Sequence, residues 1–68
     1  MSHNEVKGQV TESLPNQLFR VQYEGESYMC YLSGNMRLHK IKIFVGDYVR
    51  FVIDPYGGKA TNRITRRL

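Results

Sequence analysis

Apolar and polar residues alternate with a period of two along most of this chain, and turn-forming residues interrupt the alternation. Val6, Gly8 and Val10 alternate with Lys7, Gln9 and Thr11; Phe19, Val21 and Tyr23 alternate with Arg20 and Gln22; Tyr28, Cys30 and Leu32 alternate with Met29 and Tyr31. Successive side chains of an extended backbone point to opposite faces, so each run predicts a half-buried strand. A fourth strand over 48–54 sets Val49, Phe51 and Ile53 against Arg50, and a weaker fifth over 60–66 sets Ile64 against Arg63. The interruptions are Leu14-Pro15-Asn16-Gln17, Glu24-Gly25-Glu26, Ser33-Gly34-Asn35, Gly46-Asp47 and Pro55-Tyr56-Gly57-Gly58, all rich in residues that tolerate turn geometry.

The segment 33–46 is too long for a hairpin, and its Met36, Ile41 and Ile43 need burial. A short helical turn over 35–39 would supply it. Three strands in tight succession, a longer crossing and a final hairpin predict an all-β fold, a five-stranded OB-fold Greek-key barrel with a short helical turn between the third and fourth strands. An SH3-like small barrel is the alternative. Neither architecture selects a function by itself.

With 68 residues the chain makes one domain, expected over 6–68 behind a flexible N-terminus of residues 1–5. A chain this short buries only about 60% of its unfolded surface. Cys30 is the single cysteine, which excludes an internal disulfide and a cysteine-built metal cage and agrees with a reducing cytoplasm. In the inward phase of its strand, Cys30 reads as a small core residue. The longest apolar run, Ile43-Phe44-Val45, is far short of a membrane span, and Met-Ser-His-Asn-Glu contains no apolar h-region, so neither export nor insertion is expected.

Charge changes the picture. The net +4 is polarised: residues 1–34 carry two cations against four carboxylates, whereas residues 35–68 carry eight against two. If the second half folds onto one face, Arg37, Lys40, Lys42, Arg63, Arg66 and Arg67 form a positive patch suited to a polyanion. Tyr31, Met36, His39 and Tyr56 are interleaved with these cations, a mixture that suits RNA, since cations neutralise phosphates while rings and guanidinium planes stack on unpaired bases. The plainer reading is a solvated charged face that serves solubility.

Catalytic chemistry finds no constellation. His3 and His39 lack metal-ligand spacing, Glu24 and Glu26 flank a glycine at a hairpin tip, Ser33 and Cys30 have no evident base, and neither Gly-containing turn ends in the Gly-Lys-Ser/Thr of a phosphate loop. The expectation is a protein that is not an enzyme and holds no metal or cofactor.

Seven short motifs then coincide in order: Leu-Pro-Asn at 14–16, Phe-Arg-Val at 19–21, Ser-Gly-Asn-Met-Arg at 33–37, Ile-Lys-Ile at 41–43, Val-Gly-Asp at 45–47, Pro-Tyr at 55–56 and Arg-Ile-Thr-Arg-Arg at 63–67. Together, from about Val6 to the end, they resemble the bacterial and organellar translation initiation factor 1 family. The resemblance implies an OB-fold that binds the small ribosomal subunit at the A site, contacting ribosomal RNA and a ribosomal protein. It implies a factor that blocks premature tRNA entry and assists the other initiation factors. Carried over to this chain, the family loop falls on Ser33, Gly34, Met36 and Arg37, with Lys42 between two isoleucines and Arg63, Arg66 and Arg67 at the basic end of the last strand. Asn35, His39, Lys40 and Tyr56 complete the expected RNA-contacting set.

The chain departs from the family pattern at Asn35, where a Lys is usual, at Leu38, where a basic residue is common, and at Lys40, where a Tyr is common. Arg66 replaces an aromatic, and Gly57-Gly58 a more polar turn. A monomeric, cytoplasmic, ribosome-bound factor is the leading expectation. The rivals are a cold-shock-type chaperone of single-stranded RNA, although the Lys-Gly-Phe-Gly-Phe stripe is absent, and a protein-interaction barrel with a tyrosine cage drawn from Tyr23, Tyr28, Tyr31, Tyr48 and Tyr56.

Overall fold

The computed structural model describes residues 5–54 and 62–68. Its strands are β1 (Glu5–Leu14), β2 (Leu18–Tyr23), β3 (Glu26–Leu32), β4 (Tyr48–Val52) and β5 (Asn62–Arg67), with a short α-helix, α1 (Gly34–Leu38), between β3 and β4. They close into a barrel in the order β1-β2-β3-β5-β4, with β4 returning to β1. β3 and β5 run parallel, and the other pairings are antiparallel. This is the expected OB-type Greek key, and closure pairs each described strand on both sides.

The turns follow from local chemistry. Glu24 and Gly25 both adopt positive φ, 50° and 78°, the two-residue hairpin geometry that matches the twist of its flanking strands. Between β1 and β2 the chain reverses through Pro15–Gln17, where Asn16 and Gln17 sit at φ 62° and 60°. β1 starts at Glu5, which pairs with Val52, so residue 5 belongs to the barrel and not to the tail. Residues 1–4, the 55–58 turn and the first two residues expected in the fifth strand lie outside the described residues.

The inward phase read from the sequence is the core: Val10, Phe19, Val21, Cys30, Leu32, Val49, Phe51 and Ile64 are buried, joined by Met36 from α1 and Ile43 from the crossing. Ile41 packs against them, half-buried. Gly8 is inward as well, and its missing side chain makes room. A Cβ there would lie 2.7 Å from the Gln22 carbonyl oxygen, 2.7 Å from Val21 Cγ1 and 2.9 Å from Phe51 Cε1. Around Phe51, Tyr23 packs edge-on at 6.2 Å and Tyr28 at 5.6 Å between ring centroids, a favourable aromatic geometry. These two tyrosines are therefore core-facing, and the tyrosine cage loses two of its members.

One buried residue escapes the alternation argument. Asn62 is 4% exposed, yet both ends of its amide are satisfied. Nδ2 donates to the Met29 carbonyl at 3.0 Å, and Oδ1 accepts from the Asp54 amide at 2.9 Å. The side chain thus ties β3 and the segment after β4 to β5, and a buried polar group with both partners in place carries little desolvation penalty.

Candidate nucleic-acid interface

α1 positions the middle of the candidate site. Ser33 is its N-cap, extended at φ −62°, ψ 158°, with its hydroxyl accepting from the Met36 amide at 3.2 Å, the arrangement that satisfies an otherwise orphaned helix donor. At the other end Lys40 turns left-handed at φ 54°. Its amide donates to the Arg37 carbonyl at 3.2 Å, and the Ile41 amide to the Met36 carbonyl at 3.1 Å, the paired bonds of a Schellman stop. This short helix is thus capped at both ends and presents Arg37, His39 and Lys40 to solvent while Met36 is 1% exposed.

That burial gives Met36 a supporting role: its side chain fills the core beneath the loop. Ser33 is engaged as a cap. Gly34 is exposed, and a Cβ on it would meet nothing within 4 Å, so the fold does not require a glycine there. Asn35 is exposed on the same turn and lends its carbonyl to the His39 amide at 3.1 Å.

Arg37, Lys40 and Lys42 line one open groove, floored by Leu32, Met36 and Ile41 and walled on the far side by Gln17 from the β1–β2 turn. Gln17 is the residue that sequence reasoning misses; the Pro15-Asn16 turn signal lies beside it but gives no hint of where its left-handed backbone leads. The last strand reaches the same region. The Ser33 amide donates to the Ile64 carbonyl at 2.9 Å, and Arg67 Nη1 donates to the Lys42 carbonyl at 3.1 Å. The structure therefore brings Arg37, Lys40, Lys42 and Arg67 together. Arg63 and Arg66 are exposed on the outer face of β5, in register with Tyr31 and with Arg50 respectively. Tyr56 lies outside the described residues.

Among the described residues the one ion pair joins Arg20 to Glu12 at 3.0 Å, and it includes none of the groove cations Arg37, Lys40 and Lys42. Apolar groups stand beside these cations in the open: Leu38 is 75% exposed and Phe44 and Val45 are each 60% exposed. The loop that exposes the latter two is nonetheless ordered by hydrogen bonds. Asp47 Oδ2 accepts from the Phe44 amide at 2.9 Å, and the Gly46 amide donates to the Val10 carbonyl at 2.8 Å. The groove can hold phosphate charge and stack flat groups, and its lining residues are two lysines, an arginine, a glutamine and apolar side chains. Burial pushes the Cys30 thiol up to about 12 and keeps it neutral. No group of His, Cys, Asp and Glu among the described residues could hold a metal ion, and no helix among them is long and apolar enough to cross a membrane.

Comparison with known proteins agrees with this geometry. The family described as "Translation initiation factor 1A / IF-1" matches residues 1–68. Among solved structures, translation initiation factor 1 from the Wolbachia endosymbiont strain TRS of Brugia malayi is 39% identical with a TM-score of 0.76, over 98% of this chain and 82% of that one. YjeQ from Thermotoga maritima is 33% identical with a TM-score of 0.75 over 94% of this chain, but the chain spans only 22% of that protein's length. YloQ, a circularly permuted GTPase, shares the fold at 21% identity and a TM-score of 0.76, with 98% of this chain and 23% of that one covered. A basic surface on an OB barrel suits an RNA-binding initiation factor, and the match along the whole chain places this protein in the translation initiation factor 1A / IF-1 family.

Proposed function

We propose that this chain is an initiation factor that occupies the A site of the small ribosomal subunit. It docks there through the 33–42 loop and the basic end of β5, contacts ribosomal RNA and a ribosomal protein, and blocks premature tRNA entry while assisting the other initiation factors. It does so as a cytoplasmic monomer and without chemistry: its effect is occupancy, and any rearrangement of the RNA follows from tighter binding to the rearranged form. The observation that carries this reading is the convergence of Arg37, Lys40 and Lys42 on one groove with Arg67 tied to the Lys42 carbonyl, all without a carboxylate partner among the described residues. Gly34 supports it, because a glycine that the fold does not need leaves bare backbone where an RNA strand can approach closely.

The test is an Arg37→Ala, Lys42→Ala double substitution in a binding assay with purified small subunits over a salt series. Each lost phosphate contact lowers the slope of log K against log salt by roughly 0.7 to 0.9, so a drop of about 1.5 is expected, with weaker binding at every salt concentration. An unchanged affinity and slope would overturn the assignment of this surface. Binding of free single strands as tightly as intact subunits would favour the cold-shock-type chaperone instead.

A further inference from the structure

Outside the groove, the barrel's outer wall carries a second arrangement of charge. Lys7 of β1 is directly opposite Arg50 of β4, and Arg50 is directly opposite Arg66 of β5. Adjacent strands are about 4.8 Å apart, so three cations form a row roughly 10 Å long across three neighbouring strands. Lys7 and Arg66 are exposed, and Arg50 is half-buried.

Folding does not explain this row. Like charges directly opposite one another in a sheet repel, and among the described residues none of the three has an ion-pair partner. The carboxylate closest in sequence on this wall, Glu5, accepts from the Thr65 hydroxyl at 2.5 Å. Thr65 also reaches the Arg50 carbonyl at 3.3 Å, so Glu5 is held at the edge of the row without closing an ion pair to it. Tyr48 of β4, 49% exposed and two residues from Arg50, lies beside the row, with Lys7 Nζ 5.2 Å from the ring centroid. That ring holds the ammonium in place by a cation–π contact without neutralising it. The row also joins the groove: Arg66 precedes Arg67, whose guanidinium is bound to the Lys42 carbonyl.

We infer that Lys7, Arg50 and Arg66 form a second phosphate-binding track, on which an RNA backbone continues from the groove around the outer face of β5, β4 and β1. The inference rests on the RNA-binding reading above and adds to it Lys7 and Arg50, which neither the 33–42 loop nor the basic end of β5 includes. Charge complementarity selects the occupant: three unneutralised cations in a line, flanked by an exposed aromatic ring, match the linear repeat of a phosphate backbone and the flat face of a base.

The experiment uses a Lys7→Gln, Arg50→Gln, Arg66→Gln triple variant, a charge-retaining Arg50→Lys, Arg66→Lys variant and the groove double variant, each titrated with small subunits over a salt series. The triple variant is expected to melt no lower than the unsubstituted chain, because repulsion is removed. Its slope of log K against log salt should fall by about 2 to 3, while the charge-retaining variant should keep the slope. An unchanged slope in the triple variant, with the groove variant impaired, would overturn the track and leave the groove standing. Unchanged binding in both would overturn both. Weaker binding at an unchanged slope would assign the face to a protein partner and overturn the track as well.

Discussion

Arg67 donates through Nη1 to the carbonyl oxygen of Lys42 at 3.1 Å, joining the end of the last strand to the middle of the crossing 25 residues earlier. A guanidinium carries five donors, so one bond to a carbonyl leaves others for a phosphate. Arg67→Ala is expected to loosen the crossing without unfolding the barrel. Global stability should fall by about 0.5 to 1.5 kcal/mol, the net worth of one hydrogen bond, and amide exchange should accelerate at residues 42–47 before it does in β1. Uniform acceleration across the chain would contradict a local tie.

Lys40 is a non-glycine residue in the left-handed region, at φ 54°, where it ends α1. That conformation costs an ordinary residue about 1 kcal/mol that glycine avoids. Lys40→Gly is therefore expected to raise stability by up to about 1 kcal/mol in denaturant unfolding and at the same time to weaken RNA binding through the lost cation. A variant that gains in both respects would show that Lys40 does not face the partner.

Gly8 is required by packing and not by backbone geometry. A single methyl added there meets the Gln22 carbonyl, Val21 and the buried Phe51 ring at under 3.0 Å. Gly8→Ala is expected to destabilise by about 1 to 3 kcal/mol and to perturb the near-ultraviolet signal of the Tyr23–Tyr28–Phe51 cluster. Retained stability would mean that β1 and β2 can separate at this point at little cost.

Cys30 gives the barrel a pH dependence in alkali. Burial raises its thiol from an ordinary value near 9.0 to about 12, so between those limits the unfolded chain releases a proton that the native chain keeps. Proton release on unfolding makes stability fall as pH rises. Well below the ordinary thiol value this residue contributes no slope; from there towards the raised one, stability declines. Because tyrosines and lysines titrate in the same range, the measurement is the stability difference between the unsubstituted chain and Cys30→Ala, which should shrink as pH rises from about 9 to about 11. A constant difference would show that the thiolate forms as readily inside the barrel as outside it.

The barrel is legible in the sequence because its inward positions repeat every second residue: Val10, Val21, Cys30, Val49, Phe51 and Ile64 are each 1% exposed or less. Asn62 is not, since nothing in its neighbours tells a buried bridging amide from a turn residue; its role depends on Met29 and Asp54 arriving from elsewhere in the chain. The groove is partly legible. Arg37, Lys40 and Lys42 announce themselves by charge, but Gln17 enters only through the three-dimensional closure of β1 against β2, and Met36 turns inward because a helix of five residues has one face to bury. The outer row of Lys7, Arg50 and Arg66 is invisible for the same reason, because register between distant strands is a property of the closed sheet.

β5 alternates between what holds the barrel and what touches its surroundings: Asn62 and Ile64 are buried, while Arg63 and Arg66 are exposed. The two sets share a backbone but not a selective pressure. Substitutions in the outer set leave the interior packing undisturbed, so an evolving lineage can shift positive charge along this strand, or trade an aromatic for a guanidinium, and still inherit a chain that folds.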